Sequence, residues 1–112
     1  MKGKRVSIFI GENDQWQHRP LYLELLRALA RENIEYASAI RSIAGFTKAE
    51  DMKTKVALLG TSGYQTLIVE FADSLENVER AMSAIAEMTA NKVFSIVDVE
   101  IRPQTVPIRR PL

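Results

Sequence analysis

The one histidine, His18, lies in a polar segment with Glu12 and Asp14, a mix of imidazole and carboxylates that could hold a divalent metal or move a proton. There is no second histidine, no HExxH and no ligand pair at helical spacing, so a solvated loop is the simpler reading. General acid–base work needs two carboxylates driven apart in pKa, or a base beside a nucleophile. Glu70 and Asp73 come nearest to such a pair, but at the end of a strand they read as capping and solvent-exposed groups. The absence of cysteine removes thiolate catalysis, CxxC redox chemistry and cysteine zinc sites. No Walker-type glycine loop, GxSxG or GxGxxG occurs. The residues point to recognition without catalysis, and the chain is expected not to be an enzyme.

Nucleic acid is the first partner to weigh. Ile8-Phe9-Ile10-Gly11 resembles the first-strand motif of the RRM fold, which displays stacking aromatics on two adjacent strands. The matching third-strand motif should supply a basic residue, glycine and alternating aromatics, and Gly63-Tyr64-Gln65-Thr66-Leu67 keeps only the glycine, one aromatic and an aliphatic. Fifteen Lys plus Arg against fourteen Asp plus Glu leave a net charge of +1, with no global field to draw the chain to phosphates. No nucleic acid is expected, and Phe9 reads as core or interface.

At 112 residues the chain is the size of one domain and long enough to fold without disulfides or a structural metal. The apolar run behind Lys2, Lys4 and Arg5 stops at Gly11, too short for a signal core or a membrane span. A cytoplasmic location is expected.

The elements that must position any site follow from periodicity. Residues 5–10 alternate as a strand, with Val6, Ile8 and Ile10 on one side and Ser7 and Phe9 on the other. Pro20 opens a helix whose stripe is Leu21, Leu25 and Ala28, widened by Leu26 and Leu29, and Asn33 is a left-handed stop. Residues 34–43 predict a second strand. Residues 45–64 form a glycine-bearing, charged loop of a length that is usually functional, within which residues 56–59 extend a strand or make a short hairpin arm. Residues 64–71 predict a third strand, and Asp73-Ser74-Leu75-Glu76 a helix start close to a capping box. That helix carries Leu75, Val78, Met82 and Ile85 and ends near Asn91; residues 93–101 predict the last strand. The order βαββαβ is α+β and ferredoxin-like: a four-stranded antiparallel sheet with two helices on one face.

Two helices shield one face only, yet Phe9, Ile68, Phe94 and Ile96 read as apolar residues of the other. Large apolar patches are seldom left in water, so another copy of the chain is the expected cover. The domain spans residues 1–102. A tail, residues 103–112, carries Pro103, Pro107 and Pro111 and cannot join a central strand. Extended at roughly 3.1 Å per residue, it would reach about 30 Å, enough to clamp a neighbouring subunit.

Gly11-Glu12-Asn13-Asp14-Gln15-Trp16 followed by Pro20-Leu21-Tyr22 resembles the opening of the family called domain of unknown function 190, and residues 34–46, ending Ala44-Gly45-Phe46, resemble its second strand. That family is grouped with PII-like signalling proteins, whose resemblance implies a homotrimer binding an adenine nucleotide or similar small anion in inter-subunit clefts and moving a long loop. Gly45-Phe46 is similar to the base of the PII loop, with Thr47 and Lys48 where PII has a segment rich in Arg and Gln. Asn91-Lys92-Val93-Phe94 resembles the Gly-Lys-Ile-Phe at PII's last strand, with Ala90 and Asn91 in place of glycines. The resemblance thus implies Gly45, Phe46, Thr47, Lys48, Asn91, Lys92 and, from the next subunit, Arg102 as ligand-binding residues, no obligatory cofactor, and a protein or membrane-transporter partner still to be identified. Freed N–H groups near Gly45 and a lysine at a strand's start make a reasonable anion nest, and Arg102 a bidentate one. Lys92 reads equally well as a solvated charge at a helix C-terminus, and Arg41 as an interface ion pair. Another class stays open, a CutA-like trimer binding divalent metal through carboxylates and His18.

Overall fold

Alternating side chains build β1 (Lys2–Gly11), which buries Val6, Ile8 and Ile10 on one face and turns Arg5, Ser7 and Phe9 to the other. The computed structural model describes residues 1–45, 57–58 and 65–103. After β1 comes a small hairpin, β2 (Gln15–Trp16) paired with β3 (Arg19–Pro20). Gln17 and His18 sit at its tip with φ of 52° and 66°. A two-residue hairpin connection of type I′ needs positive φ at both positions. His18 is therefore the corner of a turn.

Helix α1 (Leu21–Arg31) begins after Pro20, which occupies the N-cap, one residue earlier than a first-turn proline. It buries Leu21, Leu25, Ala28 and Leu29 as the stripe predicts, and Asn33 stops it at φ 60°. Strand β4 (Ala37–Arg41) is shorter than residues 34–43 because the backbone at its start is used elsewhere. The Ile34 N–H donates to the Leu29 carbonyl at 3.2 Å, and the Glu35 N–H to the Asp73 carboxylate at 3.2 Å. Beyond β4, β5 (Ala44–Gly45) pairs with β6 (Ala57–Leu58), the short hairpin arm expected within residues 56–59.

Strand β7 (Thr66–Ser74) runs straight into α2 (Leu75–Ala84). The N-cap is Ser74, whose Oγ accepts the Asn77 N–H at 3.3 Å; the expected cap, Asp73, instead accepts from the Ser74 N–H at 2.7 Å and from the Asn77 side chain at 2.9 Å. Val78 and Ile85 are buried as expected, but Leu75 is 45% exposed at the first position of the helix. The helix stops at Ala84, well before Asn91, and a turn in which Thr89 Oγ1 donates to the Ile85 carbonyl at 2.7 Å leads to β8 (Val93–Glu100).

The main sheet has the order β4-β7-β1-β8, antiparallel throughout, with both helices on one side: the ferredoxin-like arrangement. Val6, Ile8, Ile10, Val69 and Phe71 meet Leu21, Leu25, Leu29 and Ile85 in the core between sheet and helices. Full burial of each large side chain contributes roughly 1.5–3 kcal/mol.

The register corrects two assignments on the open face. Phe94 lies opposite Ile8 and Ile96 opposite Val6, so both belong to the helix-covered side; Phe94 packs on the core, and Ile96, on the edge strand, is 50% exposed. The open face carries a different apolar row, Ile40-Ile68-Phe9-Val93, one residue from each of the four strands in direct register. Apolar residues occur at both parities of β8, so alternation alone cannot choose its face. Among the described residues no helix is long and apolar enough to cross a membrane.

Candidate functional site

The register places the end of β1, the end of β4 and the starts of β7 and β8 at one end of the sheet, since Arg41 lies opposite Leu67, Ile10 opposite Leu67 and Phe9 opposite Val93. Backbone and side-chain bonds tie these termini together. The Glu12 N–H donates to the Gln65 carbonyl at 2.7 Å, and the Ser42 N–H and Oγ both donate to the Thr66 carbonyl, at 3.0 and 2.9 Å. Arg41 pairs with Glu12, so its partner lies in the same chain, whatever an oligomer adds.

Lys92 is the pivot of this end. Its Nζ donates to Asp14 Oδ2 at 2.8 Å, and the same oxygen accepts the Gly11 N–H at 2.9 Å. With side chains only 19% and 11% exposed, Lys92 and Asp14 form a half-buried pair, and Lys92 is not a solvated charge on a helix end. Asn91 precedes it at φ 68°, a left-handed conformation that glycine adopts freely and asparagine tolerates best among the others. The Lys92 N–H closes the turn on the Thr89 carbonyl at 3.0 Å.

Of the residues expected to bind ligand, Gly45, Asn91 and Lys92 fall at this same end, on opposite edges of the sheet. Three strand spacings separate those edges, about 14 Å. Phe46, Thr47 and Lys48 lie outside the described residues. Arg102 follows β8 at the other end of the sheet, with the eight residues of that strand, roughly 26 Å, between it and Lys92, exposed and beside Glu100 at 3.4 Å. Asp14, 78 positions from Lys92 in the chain, escaped the sequence reading as its partner because it was weighed only with His18 and Glu12. Its legible signal is the turn Gly11-Glu12-Asn13-Asp14, in which an aspartate can accept an N–H three residues back.

The rival chemistries find less. Among the described residues no group of three or more His, Asp and Glu side chains converges to hold a metal ion, and His18 is exposed at its turn. For stacking bases, the open face presents Phe9 from β1 but Ile68 and Glu70 from β7. Asp73, read as an exposed group, is only 7% exposed; burial would raise its pKa, but the Ser74 N–H, the Asn77 amide and the Glu35 N–H together hold it below the usual carboxylate value.

The chain matches the family model DUF190, described as uncharacterized ACR, over residues 3–101. It is 28% identical over 101 residues to a UPF0166 protein of Aquifex aeolicus, covering 90% of this chain and 94% of that one. A UPF0166 protein of Methanocaldococcus jannaschii is 24% identical over 97 residues, 87% and 88% of the two chains. Among solved structures, CPII of Thiomonas intermedia bound to ADP and bicarbonate superposes with a TM-score of 0.62 at 11% identity, covering 90% of this chain and 89% of that one. CPII is described as a nitrogen regulatory PII-like protein in a further complex with ADP, AMP and bicarbonate, at a TM-score of 0.61 and 11% identity over 94% and 98% of the chains. At such identity the likeness is one of fold, and the fold is PII-like.

Proposed function

We propose, from the premise that this chain belongs to the DUF190 family, that it is a PII-like regulatory protein and not an enzyme. It binds an adenine nucleotide or a similar anionic metabolite in clefts between the subunits of a homo-oligomer, a trimer by the PII pattern. The observation that carries this reading is the half-buried Lys92, set by a left-handed Asn91 at the end of the sheet where β5 leads toward residues 46–64. The fold it stands in is that of CPII, one of whose structures is a complex with ADP and bicarbonate. A lysine at a strand's start, beside a tight turn, is suited to a phosphate.

Two features support an assembly. The row Ile40-Ile68-Phe9-Val93 crosses the whole open face with Ile40, Phe9 and Val93 at 46%, 38% and 59% exposure, an apolar stripe that a second copy would cover. Arg102 lies too far from the Lys92 of its own chain to share a ligand with it, so the two meet only across a subunit boundary. Gly45, Phe46, Thr47 and Lys48 complete the cleft in this reading, and the segment they open answers the ligand. The partner that reads it is another protein, a membrane transporter among the candidates.

Calorimetric titration with AMP, ADP, ATP and cyclic nucleotides, set against divalent metals, tests the proposal. Nucleotide heat that Lys92→Ala abolishes is expected, together with a light-scattering mass above that of one chain. Heat from metal alone, or a nucleotide response unchanged in Lys92→Ala, would sink it.

A further inference from the structure

Between the β2–β3 hairpin and α1, three arginines line one concavity. Arg19 of β3, with Arg27 and Arg31 of α1, lines a groove of about 210 Å³ together with Trp16, Gln17, Glu24 and Met88. Glu24 is the only carboxylate in the lining and is nearly buried, at 9% exposure. Arg19 NH1 donates to its Oε1 at 3.3 Å and Arg27 NH1 to its Oε2 at 3.1 Å. The Arg27 bond first, then the Arg19 bond, holds Glu24 below the usual carboxylate range against the opposing pull of desolvation, so it is ionised at neutral pH.

A buried carboxylate asks for one or two cationic partners, and Glu24 has both of its own in Arg19 and Arg27. Arg31 makes no ion pair among the described residues, yet it stands one helical turn from Arg27 on the same face, a like-charged i,i+4 neighbour. The helix dipole accounts for a cation in the last turn of α1 but not for its joining two others around a hollow. Three guanidinium groups against one carboxylate leave an excess of two positive charges here, in a chain whose net charge is +1.

Glu24 fixes the Arg19 and Arg27 guanidinium groups in place, so Arg31 is the one a ligand would have to order. Planar guanidinium forks match carboxylate and phosphate oxygens two at a time. The hollow is smaller than the roughly 300–1,000 Å³ of ordinary ligand pockets, too small for a whole nucleotide. We infer that it is a second binding site, built from other residues than the Lys92 site, for a small organic oxyanion. The ligand's carboxylate or phosphate lies against Arg31 and Arg27, and its short carbon skeleton against Trp16 and Met88.

The chain's one tryptophan lies in the wall of this groove, so its emission reports on the site directly. Wild-type protein is titrated with inorganic phosphate and, separately, with succinate, at ionic strength held constant with sodium chloride, while Trp16 fluorescence is followed. A saturable change with either anion is expected; which one responds assigns the class. Arg31→Gln, which leaves both Glu24 ion pairs intact, should weaken binding by about tenfold, the scale of one lost charge-assisted hydrogen bond. Arg31→Lys restores charge without the fork and should fall between. A response that chloride alone reproduces, one that never saturates, or one equally strong in Arg31→Gln overturns the site. Arg31 belongs to no part of the proposed nucleotide cleft, so Arg31→Gln should leave the nucleotide heat unchanged while it weakens the fluorescence response, and this site and the cleft stand or fall separately.

Discussion

Asp73 shows what a buried carboxylate does when it catalyses nothing. Its two oxygens accept from the Ser74 N–H, the Asn77 amide and the Glu35 N–H, tying the corner between β7 and α2 to the chain entering β4. Replacement by alanine strands those donors and should cost about 1–3 kcal/mol, read from urea midpoints. Its pKa is lowered from an ordinary 3.8, so the folded state binds that proton more weakly than the unfolded chain. The stabilisation is therefore whole above the ordinary value and is lost as pH falls through the lowered one. Glu24 and Asp98, lowered chiefly by Arg27 and by Lys4, add to the same acid-side loss. A urea midpoint that is flat near neutrality and drops below about pH 4 is expected, with a shallower drop in Asp73→Ala. At the sheet end Asp14 competes with any incoming phosphate for Lys92. Asp14→Asn keeps an acceptor for the Gly11 N–H while removing the negative charge, and should tighten nucleotide binding about two- to fivefold, the equivalent of a weak ion pair. Unchanged or weaker calorimetric affinity would count against Lys92 as the anion contact.

At the scale of the element, Gly3 decides how closely β1 approaches its neighbours. A Cβ added there would stand 2.3 Å from the Asp73 carbonyl oxygen and 2.5 Å from Ile101 Cδ1, and the first of these is backbone that cannot swing aside. Gly3→Ala should therefore destabilise the protein by roughly 1–3 kcal/mol, as overpacking does; a thermal midpoint equal to the parent's would show that the strands separate there at no cost. The cap of α2 is a second device of this scale. Ser74 hands its side-chain oxygen to the Asn77 N–H, and Ser74→Ala should cost about 1 kcal/mol in the same melting experiment. Strands β1 and β7 and the stripe of α1 were legible because one face of each is buried and the other is not. The boundary of β4 was not, because the N–H groups of Ile34 and Glu35 are claimed by the Leu29 carbonyl and by Asp73, residues that local pattern does not connect to them. The end of α2 was also overrun: the apolar period continues through Ile85, while a buried Thr89 turns the backbone by bonding the Ile85 carbonyl.

For the whole molecule, the test is what covers the open face. Phe9 lies between Ile68 and Val93 in the row that spans all four strands, and its side chain is not part of the core. Phe9→Asp should split the oligomer into single chains while the far-ultraviolet circular dichroism stays that of the parent, as sedimentation velocity would show. A parent protein already monodisperse as a single chain at micromolar concentration would refute the assembly. The order of the four main-sheet strands and two helices and the two-layer α+β architecture are carried by the sequence, because hydrophobic period, capping residues and turn residues are local properties of the chain. Tertiary structure alone decides that Lys92 meets Asp14, that Phe94 and Ile96 face the helices while Val93 faces out, and that Arg19, Arg27 and Arg31 close on one hollow. Each of these depends on strand register or on an approach between residues distant in the chain, and a single-residue change of register exchanges the two faces of a strand without altering its pattern.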